Sequence, residues 1–151
     1  MARVVQLYLR PSSRTPVRPV TRVEAVAGRG LEGDHARGGN RQVTLMEIER
    51  WQAACRHLGR GDLDPGGRRA NIVVEGLPLA AAIGRKLRVG ESIVEVVRRN
   101  PPCKLLEDVA TGLMQALAPE CRSGVYGRVL QGGRIEIDSQ VVLLPIGDER
   151  G

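Results

Sequence analysis

At 151 residues and 42% hydrophobic content, the chain is long enough for one domain with a real core and too short for two ordinary ones. No apolar run approaches a membrane span, and the N-terminal MARVVQLYLRP lacks the apolar stretch and cleavage site of a secretory signal. A cytoplasmic protein forming a single domain over residues 1–151 is therefore expected.

The net charge is +6; of 23 basic residues only Lys86 and Lys104 are lysines, and the other 21 are arginines. Arginines spread over a solvated surface would explain that charge without a ligand. The functional alternative is an anionic ligand, because the planar guanidinium fork matches phosphate and carboxylate. Nucleic acid is the weaker form of the same idea, since one Trp, two Tyr and no Phe leave few platforms for stacking bases. Cys55, Cys103 and Cys121 are odd in number and show no CxxC spacing, which removes zinc-site and disulfide-scaffold patterns and suits a reducing compartment.

In chain order, β-branched and alternating signals mark strands in ARVVQLYL (2–9), around PVRPVTRVEAV (16–26), RQVTL (41–45) and NIVVEG (71–76). They return in KLRVG (86–90), SIVEVVRR (92–99), VYGRVL (125–130), RIEI (134–137) and QVVLLP (140–145). The prolines of the second segment predict an edge strand or a bent one. Many short strands between glycine-rich turns predict a mainly β (α+β) fold, barrel-like, with a few short helices.

Thr44 and Glu47 have the spacing of a capping box, followed by Ile48, Trp51, Cys55 and Leu58 at helical steps and by Gly59 as a stop. This puts Cys55 on a buried stripe. A second helix is predicted to start at Asn100, with Pro101 and Pro102 in its first turn and Cys103 at the third helical position. LMQAL adds a further short helical piece, and GDLDPGGRRA (61–70) reads as a long loop.

Four stretches can carry chemistry. A thiolate on Cys103 would face a helix start, with Lys104 beside it and Arg98 and Arg99 before it, a setting for a nucleophile or a soft-metal ligand. GRGLEGDHARGGNRQ (28–42) crowds Asp34, His35, Arg37, Asn40, Arg41 and Gln42 among glycines, as a ligand-binding loop or a solvated one. Arg68, Arg69 and Asn71 stand at the mouth of an apolar strand. Arg122, Tyr126 and Arg128 offer further anion contacts, while Cys121 reads as incidental. Asp34, His35 and Cys103 supply the residue types of a cysteine hydrolase, but the adjacency of Asp34 and His35 makes it awkward for one to orient the other.

Together GLEGDHARGGNRQVTLMEIE, RRANIVVEGLPLAAAIGRKLRVGESIVEV, NPPCKLLE and CRSGVYGRVLQGGRIEI resemble the MOSC family, named for the C-terminal domain of molybdenum cofactor sulfurases. The resemblance runs from about residue 15 to 144. It implies a mostly β, barrel-like fold in which the cysteine matching Cys103 carries a persulfide sulfur or ligates molybdenum. It implies the molybdenum cofactor (molybdopterin), whose phosphate and dithiolene suit an arginine-rich pocket, with contacts from Arg41, Gln42, Arg69, Asn71, Lys104 and Arg128 and with Asp34 and His35 nearby. It also carries a family-level association with pyridoxal phosphate.

A sulfur carrier supplied by a donor such as a cysteine desulfurase is the first functional expectation. A molybdenum-dependent reductase of N-hydroxylated compounds, with Cys103 on the metal and an electron-transfer partner, is the second. A basic anion- or nucleic-acid-binding module is the third. The chain lacks the N-terminal segment and the aminotransferase-like domain found in larger relatives, which makes independent enzyme activity doubtful. It also departs from many relatives in reading Asp138-Ser139 where they have Gly-Asp.

Overall fold

The computed structural model describes residues 1–119 and 122–147, so Cys121 lies outside the described residues. The fold is mainly β, with 37% strand and 19% helix. The strands are β1 (Arg3–Leu9), β2 (Arg18–Val20), β3 (Arg22–Val26), β4 (Gly30–Leu31), β5 (Val43–Glu47) and β6 (Ile72–Glu75), then β7 (Lys86–Val89), β8 (Ser92–Arg99), β9 (Val125–Gln131), β10 (Gly133–Glu136) and β11 (Val141–Leu143). Helices α1 (Ile48–His57), α2 (Leu106–Val109) and α3 (Leu113–Ala116) fill the long connections. No described helix is long and apolar enough to cross a membrane.

Eight strands form one sheet in the order β11-β7-β8-β9-β5-β6-β1-β2, and β10-β3-β4 form a second. The larger sheet is open rather than a closed barrel. A bridge between Arg3 and Gln140, with the Val4 N–H on the Ser139 carbonyl at 2.9 Å, ties β1 to the segment entering β11. β2, which contains Pro19, is an edge strand, where its missing N–H disrupts no ladder.

Burial follows the two-residue strand period. Val4, Leu7, Leu9, Val43, Leu45, Ile72 and Val74 point into one core, shared with Val23, Ala25, Leu31 and Ile135 of the smaller sheet. Tyr8, Met46 and Val73 point the other way, into a second core beneath the helices built on Trp51, Leu106, Leu113 and Leu117. β5 is buried at all five positions because both its faces are covered.

Helix α1 buries Trp51, Ala54 and Cys55, and ends as the sequence predicts. Gly59 takes φ 66°, its N–H bonds the Arg56 carbonyl at 3.0 Å and the Arg60 N–H bonds the Cys55 carbonyl at 2.8 Å, a Schellman closure.

The starts of the predicted helices need correcting. Thr44 lies inside β5, and Glu47 is the residue before α1 but makes no side-chain cap. The Glu47 carboxylate instead accepts the Leu79 N–H at 3.2 Å. Asn100 does not cap a helix either. Its N–H bonds the Gly124 carbonyl at 2.8 Å, and Pro101 to Cys103 have no regular structure. A proline biases the residue before it away from helical geometry, so the two prolines keep this segment extended, and α2 begins only at Leu106. Within 61–70, Pro65–Arg68 forms a 3-10 turn capped by the Asp64 carboxylate on the Gly66 N–H at 2.8 Å.

Candidate functional site

The site is assembled where the ends of β1 and β8, the glycine-rich loop after β4 and the turn before β6 converge. Beneath it lies a buried polar network. Asp34, 2% exposed, accepts the Arg10 backbone N–H at 2.7 Å, Arg10 Nε at 3.2 Å and Arg10 Nη2 at 2.9 Å. Asn71 Nδ2 donates to Asp34 at 3.0 Å and to the Tyr8 carbonyl at 3.1 Å, and Asn71 Oδ1 accepts from Arg10 Nη2 and the Thr44 N–H, both at 3.1 Å. The Thr44 hydroxyl completes the circuit with the Asn71 N–H at 3.0 Å. Burial alone would raise the Asp34 carboxyl, but the hydrogen bonds and charge of Arg10 and the Ala36 N–H together hold it below its ordinary value.

Above this floor is a cavity of about 320 Å³ lined by Arg10, His35, Arg41, Arg68, Arg69 and Cys103, with Ser13, Pro101 and Leu105 at its edge. Arg68 is buried without a carboxylate. Its Nε donates to the Ser123 carbonyl at 3.0 Å, and its Nη2 to the carbonyls of Asn100 at 3.4 Å and Pro101 at 3.2 Å. Burial pushes its pKa down to about 10, opposed by the charge it senses on Cys103. Arg68 thus stitches the Cys103 segment to the strand mouth and keeps a cation beside the thiol.

Arg69 takes a left-handed conformation, φ 65°, which turns its side chain away from that of Arg68. Its guanidinium holds the 12–15 loop through the carbonyls of Thr15 and, at 2.9 Å, Ser12. Arg41 lies over the Tyr126 ring, 4.5 Å from its centroid. His35 Nδ1 faces the Arg10 carbonyl at 3.0 Å; a carbonyl only accepts, so Nδ1 donates to it. Asp34 is committed to Arg10, so it does not orient His35 as a hydrolase triad would require.

Cys103 is exposed at the rim, and its carbonyl accepts the Leu106 N–H at 3.1 Å. Cys55 is buried in the second core, and burial raises its thiol pKa. No group of three or more His, Cys, Asp or Glu side chains among the described residues could enclose a metal ion.

Of the residues singled out in the sequence, Cys103, His35, Arg41 and Arg69 line the cavity, and Asp34 and Asn71 lie beneath it. Gln42 is buried nearby and spans the Gly39 carbonyl, at 2.9 Å, and the Val129 N–H, at 3.0 Å. Lys104 is exposed outside the lining, and Arg128 pairs with Glu95 on the neighbouring strand, Nε to Oε1 at 3.1 Å. Sequence reasoning missed Arg10. It closes an apolar strand ahead of Pro11, and nothing local distinguishes it from the other arginines.

Direct comparison bears on the family and the fold. The MOSC domain family model matches residues 32–142. The chain belongs to the MOSC domain family. Among solved structures it is similar to YuaD from Bacillus subtilis, at 18% identity and TM-score 0.77, covering 93% of this chain and 94% of that one. It is similar to YiiM from Geobacillus stearothermophilus, at 22% identity and TM-score 0.79, covering 97% and 78%, and to YiiM from Escherichia coli, at 20% identity and TM-score 0.72, covering 95% and 70%. At these identities the likeness speaks for the fold. No curated protein matches the chain.

Proposed function

We propose that this protein is a sulfur carrier that holds a persulfide on Cys103 and delivers its outer sulfur to a metal–sulfur centre, the molybdenum cofactor being the natural acceptor for a MOSC domain. One observation carries this reading: an exposed thiol at the rim of a cavity whose charged lining groups are four guanidinium ions. A persulfide is more readily anionic than a thiol, and the four guanidinium groups give such an anion partners of opposite charge.

In loading, the Cys103 thiolate attacks the outer sulfur of a donor persulfide, such as that of a cysteine desulfurase. A new S–S bond forms, the donor's S–S bond breaks, and the donor leaves as a thiolate. No external oxidant is needed. Arg68 fixes the Cys103 segment through two carbonyls and faces the charge that moves along the sulfur chain.

The donor set fits the cofactor as an acceptor. Arg41 and Arg69, with His35, would hold an anionic phosphate, and Asp34 and Asn71 would keep Arg10 in place beneath it. Gln42 would brace the loop, while Lys104 and Arg128 would add charge from outside the cavity. When bound, the cofactor supplies the metal and dithiolene to which sulfur is handed.

Loading tests the proposal. Protein incubated with a cysteine desulfurase and cysteine should gain the mass of one sulfur atom on Cys103. Cyanide should then release thiocyanate, and Cys103→Ala should show neither. Molybdenum retained through Cys103, with no sulfur added, would replace the carrier role by the reductase reading, in which the same thiol is a metal ligand.

A further inference from the structure

The cavity holds more free donors than its protein contacts use. Arg41 makes no hydrogen bond among the described residues, so all five of its N–H groups are open. Arg68 commits Nε and Nη2 to carbonyls, and Arg10 commits the same atoms to Asp34 and Asn71, which leaves Nη1 of each without an acceptor among the described residues. Three guanidinium groups therefore offer unpaired donors to one space beside Cys103, and the one carboxylate beneath them is already saturated by Arg10, Asn71 and the Ala36 N–H. Guanidinium groups match carboxylates and tetrahedral oxyanions alike, binding their oxygens in pairs. The volume, about 320 Å³, is at the small end for a ligand site.

We propose that this cavity takes a small dianionic sulfane donor of the thiosulfate class, and that Cys103 draws the outer sulfur from it. The proposal rests on the carrier reading and names its donor. Arg41, with the free Nη1 groups of Arg10 and Arg68, binds the sulfonate oxygens and leaves the outer sulfur toward Cys103. The Cys103 thiolate attacks that sulfur, the thiosulfate S–S bond breaks, and sulfite departs with the bonding pair. The product is the Cys103 persulfide, and the electrons balance without a further reagent. An acceptor nucleophile then takes the outer sulfur and restores the thiolate.

The test uses the full chain, reduced and desalted, with thiosulfate at low ionic strength. Without an acceptor, each protein should release one sulfite and carry one added sulfur on Cys103. With cyanide as acceptor, sulfite and thiocyanate should form in equal amounts and continuously, and Cys103→Ser should form neither. Arg41→Gln should raise KM for thiosulfate roughly ten-fold with kcat little changed, the loss of charge-assisted contacts made in binding. Inorganic sulfate should compete. Arg41 is exposed, so this variant folds even if Arg68→Met does not. An unchanged KM in Arg41→Gln overturns the proposal. So does an absence of sulfite from a protein that a cysteine desulfurase still loads, a result that leaves the carrier role intact. If neither donor loads Cys103, both proposals fall together.

Discussion

Two buried guanidinium groups face the same cavity, and their surroundings differ in kind. Arg10 meets a carboxylate in a two-pronged pair and gives a further hydrogen bond from Nη2 to Asn71, which Thr44 in turn holds in place. Arg68 meets only carbonyl oxygens, and its charge is left without a protein counter-ion in any described ion pair. The first arrangement is charge-balanced and supports the fold, with only Nη1 of Arg10 left over. The second is open on the side of Cys103, where an anion would complete it. Desolvation of a cation costs stability unless a negative charge answers it. The contrast therefore separates the structural floor of the site from its reactive wall.

Removing the floor's carboxylate should have the largest effect. Asp34→Asn strands the buried Arg10 charge and should lower unfolding stability by about 3–5 kcal/mol, measured by urea denaturation. The pH dependence follows from the same pair. Because the folded Asp34 carboxyl titrates below its unfolded value, its stabilisation is present above about pH 4 and is lost as pH falls through the folded value. Asp34→Asn should lack this acid-side loss, and an equal loss in the variant would assign it to other carboxylates.

Arg68→Met is the complementary break, with a smaller expected cost of about 1–2 kcal/mol. Three carbonyls lose a donor, but a buried cation without a counter-ion is also removed. A cost equal to that of Asp34→Asn would erase the distinction between floor and wall.

The smallest effect belongs to Tyr126→Leu, which removes the ring beneath Arg41. Its stability cost should be only about 0.5–1 kcal/mol. Anion affinity at the cavity should fall with it, which titration with sulfate would measure.

The strands and the buried stripe of α1 were legible because hydrophobic period is a local signal, and Gly59 was legible because a left-handed stop favours glycine. The polar residues were misjudged where distant partners claimed them. Thr44 looks like a cap until Asn71, 27 residues on, occupies its hydroxyl. Asn100 looks like one until Gly124 takes its N–H and Arg68 its carbonyl. Arg10 was invisible because its role depends wholly on Asp34 and Asn71. Asp138 shows the converse: it takes φ 73°, a left-handed conformation that glycine adopts most readily and that nothing in the sequence signalled. Cys103 lines the cavity, but not at the helix start expected for it. Its positive surroundings come from arginines delivered by tertiary structure rather than from a helix start.

The strand order has a consequence for how the molecule is made. β1 pairs with β6, setting Leu7 opposite Ile72, and β5 pairs with β9, setting Thr44 opposite Tyr126. Such distant partners meet late, because closing long loops precedes the contacts that reward it. Arg68 is anchored to Ser123 and Arg41 rests on Tyr126, both beyond Cys103 in the chain. A ribosome-bound chain that has just emitted Cys103 therefore lacks the anchors of Arg68 and Arg41 beside that thiol, which form only when β9 docks. The basic surroundings of Cys103 are thus a product of the completed fold.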